Sequence, residues 1–458
     1  MEKHHHHERS TFSGKLGFVL SAAGASVGLG NIWRFPYLAA KYGGGIFLLI
    51  YIILALTFGY SMIMAETALG RMTRKSPVGA FGKFGKSKWL SFGGWINAVI
   101  PILIVPYYSV IGGWVIKYLI EYVKGNSQKL AEDGYFSAFI SDGTSTEICF
   151  LVFALLTLAI IFAGVRNGVE RVSKFMMPIL VFLSVLIAIY SVTRPGALAG
   201  VKYFLVPNPA NFSWMTVVAA MGQMFYSLSI AMGILVTFGS YMKRDVSIEG
   251  STTNVEIFDT AIAIMAGLMI IPAVFAFSGG DPDTLQAGPA LMFITIPKVF
   301  ANMGFGTPIG IIFFLLVLMA ALTSSIALTE SAVSTFQDEL RWPRKGATVI
   351  VGIIMVILGS LSSLGYGPLA FVKIIGMQFL DFFDFLTNSV MMPIAAFATC
   401  ILISRVIGVG KIEEEVEADG GSFKRKKVFR FMIRYLCPIF TVIILLSSVA
   451  NAFGWISM

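Results

Sequence analysis

Residues 24–31 read Gly24-Ala25-Ser26-Val27-Gly28-Leu29-Gly30-Asn31, midway along an apolar stretch that runs from about residue 16 to residue 40. Three glycines and an asparagine in so short a segment weaken a helix, because glycine loses more backbone freedom than any other residue on becoming helical. In hydrocarbon, each amide or carbonyl left unpaired is expensive, so such a break is tolerated only where it lines a cavity enclosed by protein. A second interruption, Tyr226-Ser227-Leu228-Ser229-Ile230-Ala231-Met232-Gly233, falls inside the apolar run at 214–241.

Outward from these two segments the chain is almost entirely apolar. Of its 458 residues 56% are hydrophobic and 13% charged, against about a quarter charged in soluble domains. Apolar spans read near 16–40, 45–70, 90–122, 147–164, 174–192, 214–241, 258–278, 307–335, 347–364, 371–405 and 432–455. The expected fold is an all-α integral membrane protein of about eleven transmembrane helices. Spans 1 and 6 head two five-helix halves, 16–192 and 214–405, and interrupted helices in corresponding positions mark a 5+5 inverted-repeat core with a midplane site. The organisation expected is therefore a cytoplasmic N-terminal tail (1–15), two inverted repeats, and an eleventh span at 432–455 outside them.

The net charge of +9 could point to nucleic acid, but the basic residues sit between apolar spans and carry topology instead. Arg9 and Lys15 precede span 1. Arg71, Arg74, Lys75, Lys83, Lys86 and Lys88 follow span 2, and Lys424 to Lys427 precede span 11. This pattern puts the N-terminus in the cytoplasm and the C-terminus outside, with the lipid bilayer as partner and no nucleic acid. Loop 279–306 is expected to form short helices over the external mouth. The four histidines form one run, His4 to His7, and the three cysteines are scattered, so neither a metal cluster nor a histidine-supported nucleophile is legible, and no enzyme is expected.

The stretch Gly28-Leu29-Gly30-Asn31-Ile32-Trp33-Arg34-Phe35-Pro36-Tyr37, followed by Gly43-Gly44-Gly45, resembles the signature of the neurotransmitter:sodium symporter family. Gln223 to Ser229 resembles its sixth helix and Leu322 to Ala327 its eighth. Many members have twelve spans; eleven, as read here, are typical of a bacterial branch, which implies a bacterial cytoplasmic membrane. The resemblance implies Na⁺-coupled amino acid symport by alternating access, with two Na⁺ sites. The first would use the Ser26 carbonyl, Asn31, Ser227 and the carboxylate of the substrate. The second would use the carbonyls of Gly24, Val27 and Ala320 with the hydroxyls of Thr323 and Ser324. Asp259, an intramembrane carboxylate in span 7, is expected near the first site, with Asn254 as its rival in register. Relatives that need chloride hold it near positions matching Tyr51, Gln223 and Ser227. A fixed Asp259 charge there implies that no bound chloride is required.

Gly28 leaves room for a substrate carboxylate, held by the amides of Leu29 and Gly30 at the start of the second half-helix. Ile104, Tyr108, Tyr226, Ser229, Met232, Ser324 and Leu328 are expected around the side chain, with a hydrophobic or aromatic amino acid, tyrosine favoured, as substrate. The resemblance also pairs Arg34 with Asp384, read as buried in span 10, across the external mouth, and Arg9 with Asp338 at the cytoplasmic side, where Tyr241 braces the gate. Glu66 is expected to accept hydrogen bonds from the unwound backbone of spans 1 and 6, while Glu330 has no role legible in the sequence. An ion-independent or proton-coupled carrier of the same fold, or an amino-acid-binding receptor, are the alternative readings.

Overall fold

Each apolar run becomes mainly helix, and the polar residues that flank the runs decide where most helices start. The computed structural model describes residues 10–285 and 287–456. In chain order the main helices are α1 (Lys15–Ser26), α2 (Gly30–Lys41), α3 (Gly45–Thr73), α4 (Lys88–Val123), α5 (Gly143–Phe162), α6 (Val165–Val192) and α7 (Trp214–Ser227). They continue with α8 (Ile234–Ser240), α9 (Ile248–Ser278), α10 (Gly306–Leu340), α11 (Arg344–Leu364), α12 (Phe379–Ile407) and α13 (Lys426–Ala452). Among the described residues nine of these are long and apolar enough to cross a membrane uninterrupted, and α1 with α2 forms a tenth span bent by 54°. The eleventh is α7 and α8, separated by the non-helical residues 228–233.

Several helices start away from the apolar windows, for local reasons. The Asp142 carboxylate accepts from the amides of Thr144 and Ser145 at 3.2 and 3.3 Å, so α5 begins at 143 rather than near 147. Ser247 caps α9 through the Gly250 amide at 3.2 Å, extending span 7 by a polar segment ahead of residue 258. Such caps satisfy amides that the first turn leaves unpaired. Span 5 begins at 165 instead of 174, and span 11 at 426 instead of 432, both gaining turns that carry basic residues. Span 10 moves the other way. Gly376 has φ +78° and Ile374 pairs with Met377 across a tight turn, so residues 371–378 are not helical and α12 starts at Phe379.

Helix α10 is the central pillar, packing on α1, α4, α5, α6 and α11, while the broken span 1 lies between α9 and α10. Small residues permit this closeness: a Cβ on Gly112 or Gly359 would lie 2.5 or 2.2 Å from the rings of Phe153 or Phe150, the close approach by which helices associate in lipid. The segment Leu291–Ala301 forms a short helix, as expected for loop 279–306. It lies across the end of α4, where Tyr118 donates to the Phe293 carbonyl at 2.8 Å.

Candidate functional site

The two breaks face each other at the centre of the bundle. In span 6 the positive φ values of Ser229, Ala231 and Gly233 (+53°, +59° and +71°) prevent a helix from continuing, and two of the three are not glycine, so the conformation is held by its surroundings. Two contacts hold it. The Ser229 hydroxyl donates to the Ala25 carbonyl in the span 1 break at 3.0 Å, and the Ala231 amide donates to Glu66 of α3 at 2.8 Å. Glu66 thus supports span 6. Among the described residues its second oxygen has no partner, so the expected support of span 1 is not seen. The Ala25 carbonyl points instead at Ser229 and Ser324.

Around these breaks lies a cavity lined by Ala25, Ser26, Gly28, Leu29, Gly30, Asn31, Ile104, Tyr108, Tyr226, Ser227, Ser229, Met232, Ile234, Ser324 and Leu328. The residues expected around a substrate are all on its wall, with Ser26 and Ser227 of the first ion site beside them. Ile104, Met232 and Leu328 are buried and apolar, and the Leu29 amide donates to the Tyr108 hydroxyl at 3.3 Å. Gly28 has no room for a side chain: a Cβ there would sit 2.7 Å from the Ser324 hydroxyl and 3.0 Å from that of Tyr108.

Two oxygen clusters flank the cavity. In the first, Asp259 accepts from the Asn31 side-chain amide at 2.9 Å and from the Ser227 hydroxyl at 3.1 and 3.0 Å, with the Tyr51 hydroxyl at 3.5 Å. The rival Asn254 is exposed on α9. Gln223 departs from the expected grouping: its amide donates to the Gly30 carbonyl at 3.1 Å, bracing the start of α2 rather than joining Asp259. Ser26 lies beside this cluster in the cavity wall, its own hydroxyl donating to the Ala22 carbonyl at 3.1 Å. In the second cluster the Ser324 hydroxyl lies 3.2 Å from the Gly24 carbonyl and 3.5 Å from that of Val27. Thr323 is 3.1 Å from the Ala320 carbonyl. The Ser324 hydroxyl thus bridges α10 to the span 1 carbonyls, while the Thr323 hydroxyl bonds within its own helix.

The two ends of the cavity differ. Toward one end it is followed by a larger vestibule lined by Trp33, Arg34, Tyr37, Phe225, Tyr226, Asp384 and Asn388 among others. Asp384 is exposed there, not buried as the sequence reading held, because the late start of α12 leaves it in the second helical turn, at the mouth. It accepts from Asn388 at 2.6 Å and Tyr107 at 3.3 Å. Arg34 lies over the Tyr226 ring, 5.3 Å from its centroid, and forms no ion pair with Asp384 in this structure.

The opposite end is shut. Phe12 is buried against Phe18, Phe238 and Tyr241, and its amide donates to the Tyr241 carbonyl at 3.1 Å. Ser13 donates through both amide (2.9 Å) and hydroxyl to the Glu170 carboxylate of α6, which also pairs with Lys174 at 2.6 Å. The Tyr241 hydroxyl donates to Glu330 at 2.7 Å, and Glu330 pairs with Arg344 at 2.5 Å. Asp338 accepts from the Ser76 amide at 2.7 Å, while Arg9 lies outside the described residues. The roles of Arg344, Ser13 and Glu170 were not legible in sequence, and Glu330 stood out only as a carboxylate inside an apolar run with no partner to assign.

Comparison with known proteins decides the family. The sequence pattern of the sodium:neurotransmitter symporter family matches residues 9–131 and 136–454. The chain belongs to the sodium:neurotransmitter symporter family. An uncharacterized sodium-dependent transporter of Bacillus subtilis (strain 168) is 34% identical over 445 residues, covering 96% of this chain and 97% of that one. The mouse sodium- and chloride-dependent GABA transporter 2 is 27% identical over 460 residues, covering 90% of this chain and 75% of its own. The crystal structure of MhsT in complex with L-phenylalanine superposes with a TM-score of 0.84 at 35% identity, covering 96% of this chain and all of that one. As a sodium:neurotransmitter symporter family member the protein is a multi-pass, Na⁺-dependent membrane transporter and not an enzyme.

Proposed function

We propose that this symporter carries a hydrophobic or aromatic amino acid, tyrosine favoured, into the cell with Na⁺. The observation that carries the reading is Gly28. Its missing side chain leaves room beside the start of α2 for a carboxylate, at a helix N-terminus where negative charge is favoured. An acidic residue there would meet the Ser324 and Tyr108 hydroxyls at 2.7 and 3.0 Å from its Cβ, so a carboxylate fits only as part of the ligand. The substrate side chain then lies among Ile104, Met232 and Leu328, with Tyr108 and Tyr226 above it. Met232 is unbranched and adaptable, which suits a bulky ring, and the relative MhsT is captured with L-phenylalanine.

Two Na⁺ ions occupy the two oxygen clusters. Na⁺ is a hard cation that takes oxygen ligands, and carbonyls and hydroxyls supply them without adding charge. The first ion binds Asn31, Ser227, the Ser26 carbonyl and the substrate carboxylate, with Asp259 as the fixed anion that makes chloride unnecessary. The second binds the carbonyls of Gly24, Val27 and Ala320 and the hydroxyls of Thr323 and Ser324. Occupying both clusters ties α1, α2, α9 and α10 together around the substrate.

The vestibule is the external mouth, and closing it brings Arg34 to Asp384 over Tyr226. Opening the inner end withdraws Phe12 and Ser13 from Tyr241 and Glu170, with Asp338 and Arg9 on the same side. Two gates that close alternately give the bistable element that transport against a gradient needs. The N-terminus faces the cytoplasm of a bacterial cell, the C-terminus lies outside, and residues 16–192 and 214–405 form the two inverted repeats. Uptake of each of the twenty amino acids into proteoliposomes tests the substrate. Phenylalanine, tyrosine and other bulky apolar side chains should compete best, whereas strongest competition by a decarboxylated amine would refute the role given to Gly28.

A further inference from the structure

The closed end of the molecule carries a surface that neither the cavity nor the gates use. Helix α4 has 36 residues, about 54 Å at the usual rise, against a hydrocarbon core of about 30 Å. Its first turns therefore stand at headgroup level. There Lys83, Lys86 and Lys88 are exposed, and so are Trp89 (81%), Phe92 (48%) and Trp95 (44%). Positions 88, 92 and 95 follow the i, i+4, i+7 spacing and share one stripe of the helix, with Trp89 beside it.

The charges of this surface are not neutralised by the chain. No Asp or Glu occurs between Glu66 and Glu121. The arginines in that interval turn inward: Arg71 pairs with Glu415 at 2.7 Å, and Arg74 donates to the Met242 carbonyl at 2.6 Å. Lys83 donates to the Met72 carbonyl at 3.0 Å, and Lys86 and Lys88 make no hydrogen bond or ion pair among the described residues. The connector ahead of α13 is also basic but differs, because Arg425 is paired with Glu256, Lys426 with Glu417 and Arg430 with Glu413.

We infer that this patch docks the headgroup of an anionic phospholipid. Lys86 and Lys88 meet the phosphate and the net negative charge, their stems lying along the aromatic surface as long cationic side chains do at an interface. Trp89, Phe92 and Trp95 fill the glycerol boundary, the level at which amphipathic rings are enriched. Two indoles, one largely and one partly exposed, beside unpaired lysines fit that layer better than bulk water. The occupant is a lipid rather than a free phosphate, because the rings give an acyl chain a place that an inorganic ion does not use.

Native mass spectrometry of the full-length protein tests this, titrating phosphatidylglycerol or phosphatidylcholine into the detergent-purified chain. A lysine near an anionic surface is worth about fivefold in affinity. The K86Q/K88Q variant should therefore bind phosphatidylglycerol about 25-fold more weakly and phosphatidylcholine unchanged. K202Q/K373Q, which removes two exposed lysines from the other end of the molecule, should stay within about twofold of wild type. Equal loss in both variants, or none in K86Q/K88Q, overturns the assignment. So does displacement of the lipid by inorganic phosphate, or a concentration-dependent dimer lost in K86Q/K88Q. In nanodiscs, brominated phosphatidylglycerol should quench wild-type fluorescence more than that of W89F/W95F, and equal quenching refutes contact at this surface.

Discussion

The two oxygen clusters share one helix break yet are built from different chemistry. The cluster at Asn31 and Ser227 is organised by a carboxyl group, Asp259, with hydrogen bonds of 2.9–3.1 Å. The cluster at Thr323 and Ser324 has no charge and joins α10 hydroxyls to backbone carbonyls of the span 1 break. The difference teaches how each is held. Removing Asp259 leaves the buried donors Asn31, Ser227 and Tyr51 without their acceptor, whereas removing a hydroxyl from the second cluster leaves the carbonyls where the backbone puts them. The first cluster should therefore be fragile and sensitive to anions, and the second graded.

The largest expected effect follows from breaking the charged cluster. Asp259→Ala should raise the Na⁺ concentration for half-maximal uptake about a hundredfold, since hydrogen bonds to charged groups are worth about 1.5–3 kcal/mol. Asp259→Asn separates charge from shape: its uptake should become greater in chloride than in gluconate, while wild type shows no such difference. A chloride-indifferent Asp259→Asn protein with normal uptake would remove the fixed-anion role. Next comes Gly28→Ala, which intrudes between the clusters. Overpacking of about 2 kcal/mol corresponds to about a 30-fold loss of amino acid affinity, measured by equilibrium binding.

Ser324→Ala tests the neutral cluster and should cost about tenfold in Na⁺ half-saturation, one hydrogen-bonding oxygen of about 1.4 kcal/mol. Its uptake should remain indifferent to chloride, in contrast to Asp259→Asn. The smallest change is expected for Glu66→Gln, which keeps an acceptor for the Ala231 amide. Uptake should stay within about threefold, because one neutral hydrogen bond replaces another. A loss as large as that of Asp259→Ala would mean that Glu66 acts through its proton and not through support of the break.

Much of this was legible in sequence because lipid makes backbone irregularity costly. Gly24 to Asn31 and Tyr226 to Gly233 therefore announced the cavity, and a carboxylate inside span 7 announced Asp259. What stayed hidden depends on where helices begin and what they meet. The apolar run at 371–405 gave no sign that Gly376 turns the chain before Phe379, so the exposure of Asp384 could not be read. Glu330 and Arg344 lie on separate helices, α10 and α11, and Ser13 meets Glu170 across 157 positions, distances no local pattern records. Gln223 was grouped with Asp259 by resemblance, but its amide reaches the Gly30 carbonyl first.

The most direct measurement is uptake of radiolabelled phenylalanine and tyrosine into proteoliposomes under an inward Na⁺ gradient, with choline replacing Na⁺ in parallel. The account predicts concentrative uptake with Na⁺ in either chloride or gluconate, and none with choline. Equal uptake in Na⁺ and choline would contradict it.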